Sequence, residues 1–249
     1  MIKVASNTKI FETDWNIIIG LGVKCNTMWI QKRADCRYTS SPFDNMETTC
    51  GLIQSADLLK NEFADYWETK SDWSLNQYPG SKGIRNNKYF ELYYPHFEES
   101  WFSDFMNKGQ FKEWNRRGNL ELTDSIYNGF KKVFGKRQQR LISILKEKNN
   151  VLFLRVDSEP SQAKITYQNN QQKHIDYFMD TLTNAYPNSK IGFLYYFINT
   201  PKYKRKFESS DFVYFDECPF NDYKNIWDYV VPKLKEVKLL PRDEIRGIE

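Results

Sequence analysis

NIIIGLGVKCNTMWIQKR, at residues 16–33, contains the pattern from which the fold class can be predicted. Residues 16–22 contain a short apolar run that ends in two glycines, which is typical of a buried strand followed by a tight turn. Residues 23–33 then predict a helix. A buried strand that leads directly into a helix is the opening unit of an α/β fold.

The second half of the chain continues this alternation. Continuous apolar runs of strand length predict the strands, at residues 151–156, 190–198 and 211–216. Apolar stripes predict the helices, at residues 52–67, 124–148, 172–186 and 223–237. We therefore expect an α/β fold with a mostly parallel central sheet flanked by helices, formed by residues 17–21, 151–154, 191–196 and 212–215.

A long segment separates the first strand–helix unit from the later ones, and it indicates how the domain is organised. We expect one α/β domain over residues 1–249, with an α-rich insertion or cap at approximately residues 35–118. Within it, residues 71–90 are rich in Asn, Gly, Ser, Lys and Pro and predict a long loop.

Composition and charge exclude several classes of protein. The chain has 249 residues, 40% hydrophobic, which is enough to bury a core, so we expect no global disorder. The net charge of +4 permits an anionic ligand but does not predict a nucleic-acid partner, which usually needs a clustered basic face. No apolar run is long enough to span a bilayer, and the first eleven residues lack the apolar centre of a secretory signal. We expect a cytoplasmic protein.

The number and spacing of the cysteines and histidines indicate whether a metal site is expected. The four cysteines show no CxxC spacing and there are two histidines, so we expect no zinc or other metal site, and free thiols in a reducing compartment. The Gly-x-Gly of the first turn has Cys25 where a dinucleotide fingerprint has its third glycine. We therefore expect no bound cofactor.

The first candidate site is the turn itself. Gly20 and Gly22 permit close backbone approach by a ligand, and the N–H groups of the predicted helix start favour an anion, with Lys24 beside them. The same surroundings lower the pKa of a thiol, so Cys25 is a candidate nucleophile. The alternative is that Cys25 shares a core face of the helix with Met28 and Trp29.

Two further residues could support such a nucleophile. Asp44, in Ser41-Pro42-Phe43-Asp44, could orient an imidazole or a substrate group, although this motif is also an ordinary turn. His96 lies among aromatic residues beside a proline and could transfer a proton, although a packed histidine has the same signature.

Three arginines are candidates for binding an anion. Arg137 occupies a position in the apolar stripe of its predicted helix, with Arg140 close by, and Arg155 ends a buried strand. A buried guanidinium needs either a carboxylate partner or a ligand anion, and both possibilities stay open. Strand ends are where ligands gather in open α/β sheets. The basic run at residues 202–206 instead predicts a solvated turn.

Together these motifs resemble a known family. The chain resembles a family of bacterial domains of unknown function that is labelled papain-like cysteine peptidase, and the resemblance covers most of residues 16–155. The residues that carry the resemblance are Ile19-Gly20-Leu21-Gly22-x-x-Cys25, Ser41-Pro42-Phe43-Asp44, Pro95-His96-Phe97, Arg137-x-x-Arg140 and Val151-Leu152-Phe153-Leu154-Arg155. The family has Trp where this chain has Asn45, and Asp where it has Phe97.

Three functions are compatible with these residues. The first is a cysteine-nucleophile hydrolase or acyl transferase that uses a Cys25–His96 pair with Asp44 as the orienting acid, as the resemblance implies. The second is a glycan-related or nucleotide-donor transferase that binds phosphate through the turn and the arginines. The third is a non-catalytic binding module. The expected partner is a small-molecule, peptide or glycan substrate that carries negative charge in the second case.

Overall fold

A computed structural model describes residues 9–22, 26–44, 51–78, 81–89, 93–94, 122–157, 168, 171–219 and 223–248. Its strands are β1 (Ile17–Gly20), β2 (Trp73–Tyr78), β3 (Ser81–Asn86), β4 (Tyr93–Tyr94), β5 (Asn150–Val156), β6 (Lys190–Phe197) and β7 (Val213–Glu217). Its helices are α1 (Asn26–Arg33), α2 (Leu52–Lys60), α3 (Asp124–Lys146), α4 (Gln172–Ala185) and α5 (Tyr223–Lys235).

The central sheet has the order β1-β5-β6-β7, and each neighbouring pair is parallel. The predicted α/β fold with a mostly parallel sheet is therefore confirmed. The register sets Gly20 beside Leu154 and Arg155 beside Tyr195, so the carboxyl ends of β1, β5 and β6 lie at one edge. In open parallel sheets this is the edge that gathers ligands.

Alternate strand residues build two cores. On one face, Phe153 and Phe193 pack with residues of α2, α3 and α4. On the other face, Leu152 and Leu194 pack with residues of α1 and α5. The strands are apolar on both sides because helices cover both sides.

A second, antiparallel sheet has the order β2-β3-β4. The prediction of a long loop at residues 71–90 was wrong, because β2 and β3 pair there as a hairpin. Trp73 of β2 and Ile84 of β3 are buried, whereas much of the rest of the hairpin sequence is polar. The described part of residues 35–118 thus contains this sheet as well as α2, where we expected an α-rich insertion.

Helix α2 ends earlier than its apolar stripe predicts. Glu62 and Phe63 adopt φ values of 54° and 57°, and Phe63 N–H donates to Leu58 O while Glu62 N–H donates to Leu59 O. These two bonds form a Schellman cap, which usually has glycine at the left-handed position. The helix therefore stops at Lys60 even though residues 61–67 continue the apolar pattern.

Two glycines differ in what surrounds them. A Cβ on Gly20 would lie 2.9 Å from both Gln31 Oε1 and Thr27 Cγ2 of α1. A Cβ on Gly135, inside α3, would meet nothing within 4 Å. Gly20 is therefore required by the close approach of α1 to β1, whereas no contact within the described residues requires Gly135.

We predict opposite effects when each glycine is replaced. Gly20→Ala should lower the free energy of unfolding by about 1–3 kcal/mol, because the added methyl group overpacks the β1–α1 contact. Gly135→Ala should raise it by about 0.5–1 kcal/mol through helix propensity. Urea unfolding of both variants measures this difference, and an unchanged free energy for Gly20→Ala would contradict the packing assigned to α1.

Candidate active site at the carboxyl end of β1

The turn after β1 is fixed from two sides. Leu21 N–H donates to Leu154 O at 2.8 Å, and Leu21 O accepts a bond from Arg155 Nη1 at 3.2 Å. Gln31 Nε2 donates to Ile18 O at 2.8 Å, which ties α1 to the middle of β1. The start of α1 at Asn26 is therefore held close to the carboxyl end of β1.

The loop at residues 37–44 packs against this turn. Asp44 Oδ2 accepts from Arg37 Nη2 at 2.6 Å and from Ser41 N–H at 2.9 Å, and the Asp44 side chain is 2% exposed. Ser41 Oγ donates a hydrogen bond to Gly20 O at 3.4 Å. The bonds of Asp44 thus stabilise the conformation of the loop, and the bond from Ser41 connects the loop to Gly20, the last residue of β1.

Two electrostatic effects act in opposite directions on Asp44. Burial raises the pKa of its carboxyl group, whereas the positive charges of Arg37 and Arg137 lower that pKa. Burial is the larger of the two effects, so the pKa of the Asp44 carboxyl group lies above its usual value in spite of the ion pair with Arg37 at 2.6 Å.

The arginines of α3 lie on the same side of the loop. Arg140 Nη1 donates to Thr39 Oγ1 at 2.9 Å. Arg137 stacks over the ring of Phe134 at 4.8 Å, which explains how a guanidinium fits the apolar stripe. Because Arg37 is paired with Asp44, it is Arg137 and Arg140 that add positive charge near residues 37–44.

A buried polar cluster crosses the carboxyl ends of β5 and β6, and sequence reasoning missed most of it. Asp157 Oδ2 accepts from Arg205 Nη2 at 2.5 Å and from Tyr195 OH at 3.0 Å. Arg205 also donates from Nη1 to Tyr195 OH at 2.6 Å and from Nη2 to Ile198 O. Arg155 is adjacent to Tyr195 in the sheet register and is fully buried. The cluster therefore extends from Leu21 O to Ile198 O.

Arg205 corrects one prediction. The basic run at residues 202–206 predicts a solvated turn, but Arg205 is only 7% exposed and its side chain points into the protein. The signal available in the sequence was Asp157, an acidic residue directly after a buried strand. A buried carboxylate at this position requires a cationic partner, but the sequence does not identify Arg205 as that partner.

The candidate residues divide into two groups. The structure brings Gly20, Asp44, Arg137 and Arg140 together around the loop at residues 37–44, and it sets Arg155 against the turn. Gly22 is buried in the same turn. Lys24, Cys25 and His96 lie outside the described residues, so the predicted Cys25–His96 pair stays a prediction.

The described residues hold no group of three or more His, Cys, Asp or Glu side chains that could bind a metal ion. None of the helices described is long and apolar enough to cross a bilayer. Comparisons of the chain with protein families, with curated proteins and with solved structures found no match.

We predict that the Asp157–Arg205 pair is required for stability. Arg205→Met should lower the free energy of unfolding by about 3–5 kcal/mol, because it leaves a buried carboxylate without its cation. The double variant Asp157→Leu/Arg205→Met should lose less than the single variant, since it removes both charges. Urea unfolding of the single and double variants tests this, and two equally stable proteins would contradict the pairing.

Proposed function

We propose that this chain is a cysteine-dependent hydrolase or acyl transferase in which Cys25 is the nucleophile and His96 transfers the proton. The supporting observation is the position of the turn at residues 20–22, at the carboxyl end of β1 in a parallel sheet. α1 begins at Asn26, the residue that follows Cys25 in the sequence. A thiol next to a helix N-terminus has a lowered pKa and is the stronger nucleophile near neutral pH.

In the proposed reaction, the Cys25 thiolate attacks a carbonyl carbon of the substrate. A C–S bond forms and the carbonyl oxygen becomes an oxyanion, which backbone N–H groups of the turn stabilise. His96, protonated by the thiol, gives its proton to the leaving group as the bond to that group breaks. Water or an acceptor amine or hydroxyl then attacks the acyl-enzyme, His96 takes up its proton, and Cys25 is released.

The surrounding residues have supporting roles in this proposal. Asp44 is proposed as the orienting acid, and its bonds to Arg37 and Ser41 keep the loop at residues 37–44 against Gly20. Arg137 and Arg140 add positive charge beside the Arg37–Asp44 pair, which favours a substrate with a negative group nearby. Arg155 is proposed as a positioning residue, because its guanidinium is fully buried against Leu21 O.

The thiols give a direct test that needs no substrate. Burial raises the pKa of the Cys36 thiol to about 12 and raises that of Cys218 well above its usual range. We predict that iodoacetamide labels Cys25 faster than the other three cysteines at pH 7, as measured by timed quenching and peptide mass spectrometry. In denaturant all four should label at similar rates. Faster labelling of Cys36, Cys50 or Cys218 in the folded protein would remove the main support for Cys25 as the nucleophile.

The role of His96 is tested by the pH dependence of the same reaction. In His96→Ala, the midpoint of the Cys25 labelling rate should move up towards a free thiol pKa of about 8.5, because the imidazolium no longer stabilises the thiolate. His174→Ala is the matched control, because it removes the other histidine, which lies in α4. If the two variants have the same profile as the unsubstituted protein, His96 is not the partner of Cys25.

The positive charge around residues 37–44 also favours a second candidate function, the glycan-related or nucleotide-donor transferase. In that case the arginines would bind the phosphate groups of the donor and Cys25 would be structural. Calorimetric titration of the Cys25→Ala variant with a nucleoside diphosphate sugar separates the two. Saturable binding that Arg137→Gln abolishes would favour the transferase, and absence of both binding and thiol reactivity would leave the binding module.

A further inference from the structure

Thr27 is a buried polar residue in the first turn of α1 that packing alone does not explain. The residues of α1 that face the sheet are Thr27, Ile30 and Gln31, and Thr27 is only 1% exposed. Gln31 uses its buried amide, because its Nε2 donates to Ile18 O at 2.8 Å. Thr27 Oγ1, in contrast, has no hydrogen-bond partner in the part of the chain that the structure describes.

The methyl group of Thr27 has a structural role that its hydroxyl group does not share. Thr27 Cγ2 is the branch that packs on Gly20, since a Cβ on Gly20 would lie 2.9 Å from it. Valine has the same shape and the same methyl group, and it lacks a hydroxyl whose burial without an acceptor is unfavourable. The packing against β1 therefore explains a β-branched residue at this position, but it does not explain threonine.

The side chain of Thr27 leans towards the start of α1. In an α-helix the Cα–Cβ bonds are tilted towards the N-terminus, so a side chain covers the turn that precedes its own Cα. α1 has eight residues and begins at Asn26, and its first N–H groups have no acceptors within the helix. The hydroxyl and these N–H groups are thus directed to the same end of α1, where negative charge is favoured.

The residue at this end of α1 is Cys25, which directly precedes Asn26 in the sequence. An acceptor side chain in the position before a helix bonds to the N–H of the second or third helical residue, which here are Thr27 and Met28. A Cys25 thiolate that accepts from the Thr27 N–H would also be within reach of the hydroxyl of the same residue.

From these features we propose that the Thr27 hydroxyl donates a hydrogen bond to the Cys25 thiolate and stabilises this reactive form of the nucleophile. The proposal rests on the proposed function, in which Cys25 attacks the substrate. Oγ is the donor and Sγ the acceptor, and no proton moves between them. Because hydrogen bonds to an ionised acceptor are stronger than those to a neutral one, the bond favours the thiolate over the thiol.

Several charged groups lie close enough to this turn to affect the ionisation of Cys25. They are Arg155, which bonds to Leu21 O, the ion pair of Arg37 with Asp44, Arg137 and Arg140 beside that pair, Lys24 next to Cys25 in the sequence, and the proposed partner His96. Replacement of Thr27 by an uncharged residue removes none of them. A change in the pKa of Cys25 in such a variant therefore reports on the hydroxyl.

Two substitutions separate the hydroxyl group from the methyl group. Thr27→Val removes only the hydroxyl, so the midpoint of the pH dependence of Cys25 labelling should move up by about one pH unit or more, because a hydrogen bond to a charged group is lost. Its midpoint of thermal unfolding should not fall. Thr27→Ser is the matched control, since it keeps the hydroxyl and removes the methyl group that packs on Gly20. Its labelling midpoint should stay close to that of the unsubstituted protein, whereas its midpoint of thermal unfolding should fall.

Timed labelling of the full chain with iodoacetamide over a range of pH, read by peptide mass spectrometry, measures these midpoints. The proposal is overturned if Thr27→Val has the labelling midpoint of the unsubstituted protein, or if Thr27→Ser moves it as far as Thr27→Val does. It is also overturned if Thr27→Val lowers the midpoint of thermal unfolding, because the hydroxyl then has a structural acceptor, such as a backbone carbonyl three or four residues earlier. Failure of the proposed function itself is seen separately, in the unsubstituted protein, where Cys25 would not be the cysteine that labels fastest, and that result removes this proposal with it.

Discussion

Burial of two arginines at the carboxyl ends of β5 and β6 is the constraint on which the candidate site depends. Arg155 and Arg205 are 0% and 7% exposed, and guanidinium groups cannot lose their charge, so each must be satisfied inside the protein. Arg155 bonds to Leu21 O in the turn after β1, and Arg205 bonds to Asp157, Tyr195 and Ile198 O. These bonds fix three strand ends relative to one another at a single edge.

The apolar layers explain why this edge is so well defined. Helices cover both faces of the parallel sheet, so its strands hold few polar groups until they end. At the carboxyl ends of the strands the sequence changes from apolar residues to polar residues and glycines. Arg155 and Asp157 follow the apolar run of β5, and the turn at residues 20–22 follows that of β1. Gly20 allows α1 to approach β1 closely, and the loop at residues 37–44 closes over the turn through Ser41.

Much of the fold could be predicted from the sequence, because the strands of the central sheet are continuous apolar runs and their helices have clear periodicity. The hairpin of β2 and β3 could not, since its strands are largely polar in sequence even where they are buried, as Asn86 is beside Trp73 and Ile84. The early end of α2 was also missed, because Glu62 and Phe63 take up left-handed backbone conformations that favour glycine. For the site, the motifs indicated Asp44 and the arginines, but the partner of Asp44 is Arg37, which no motif marked. Arg205 was not predicted as buried, because it lies in a basic run whose composition is typical of a solvated turn.

The proposed function requires that the turn after β1 leads into a cysteine nucleophile with a histidine partner. A crystal structure of the chain with Cys25 unmodified tests it most directly, through the distance between Cys25 Sγ and the nearer ring nitrogen of His96. We expect about 3–4 Å, which is hydrogen-bond reach with some looseness when no substrate is bound. A His96 ring on the far side of the sheet, or packed in a core with no path to Cys25, would contradict it.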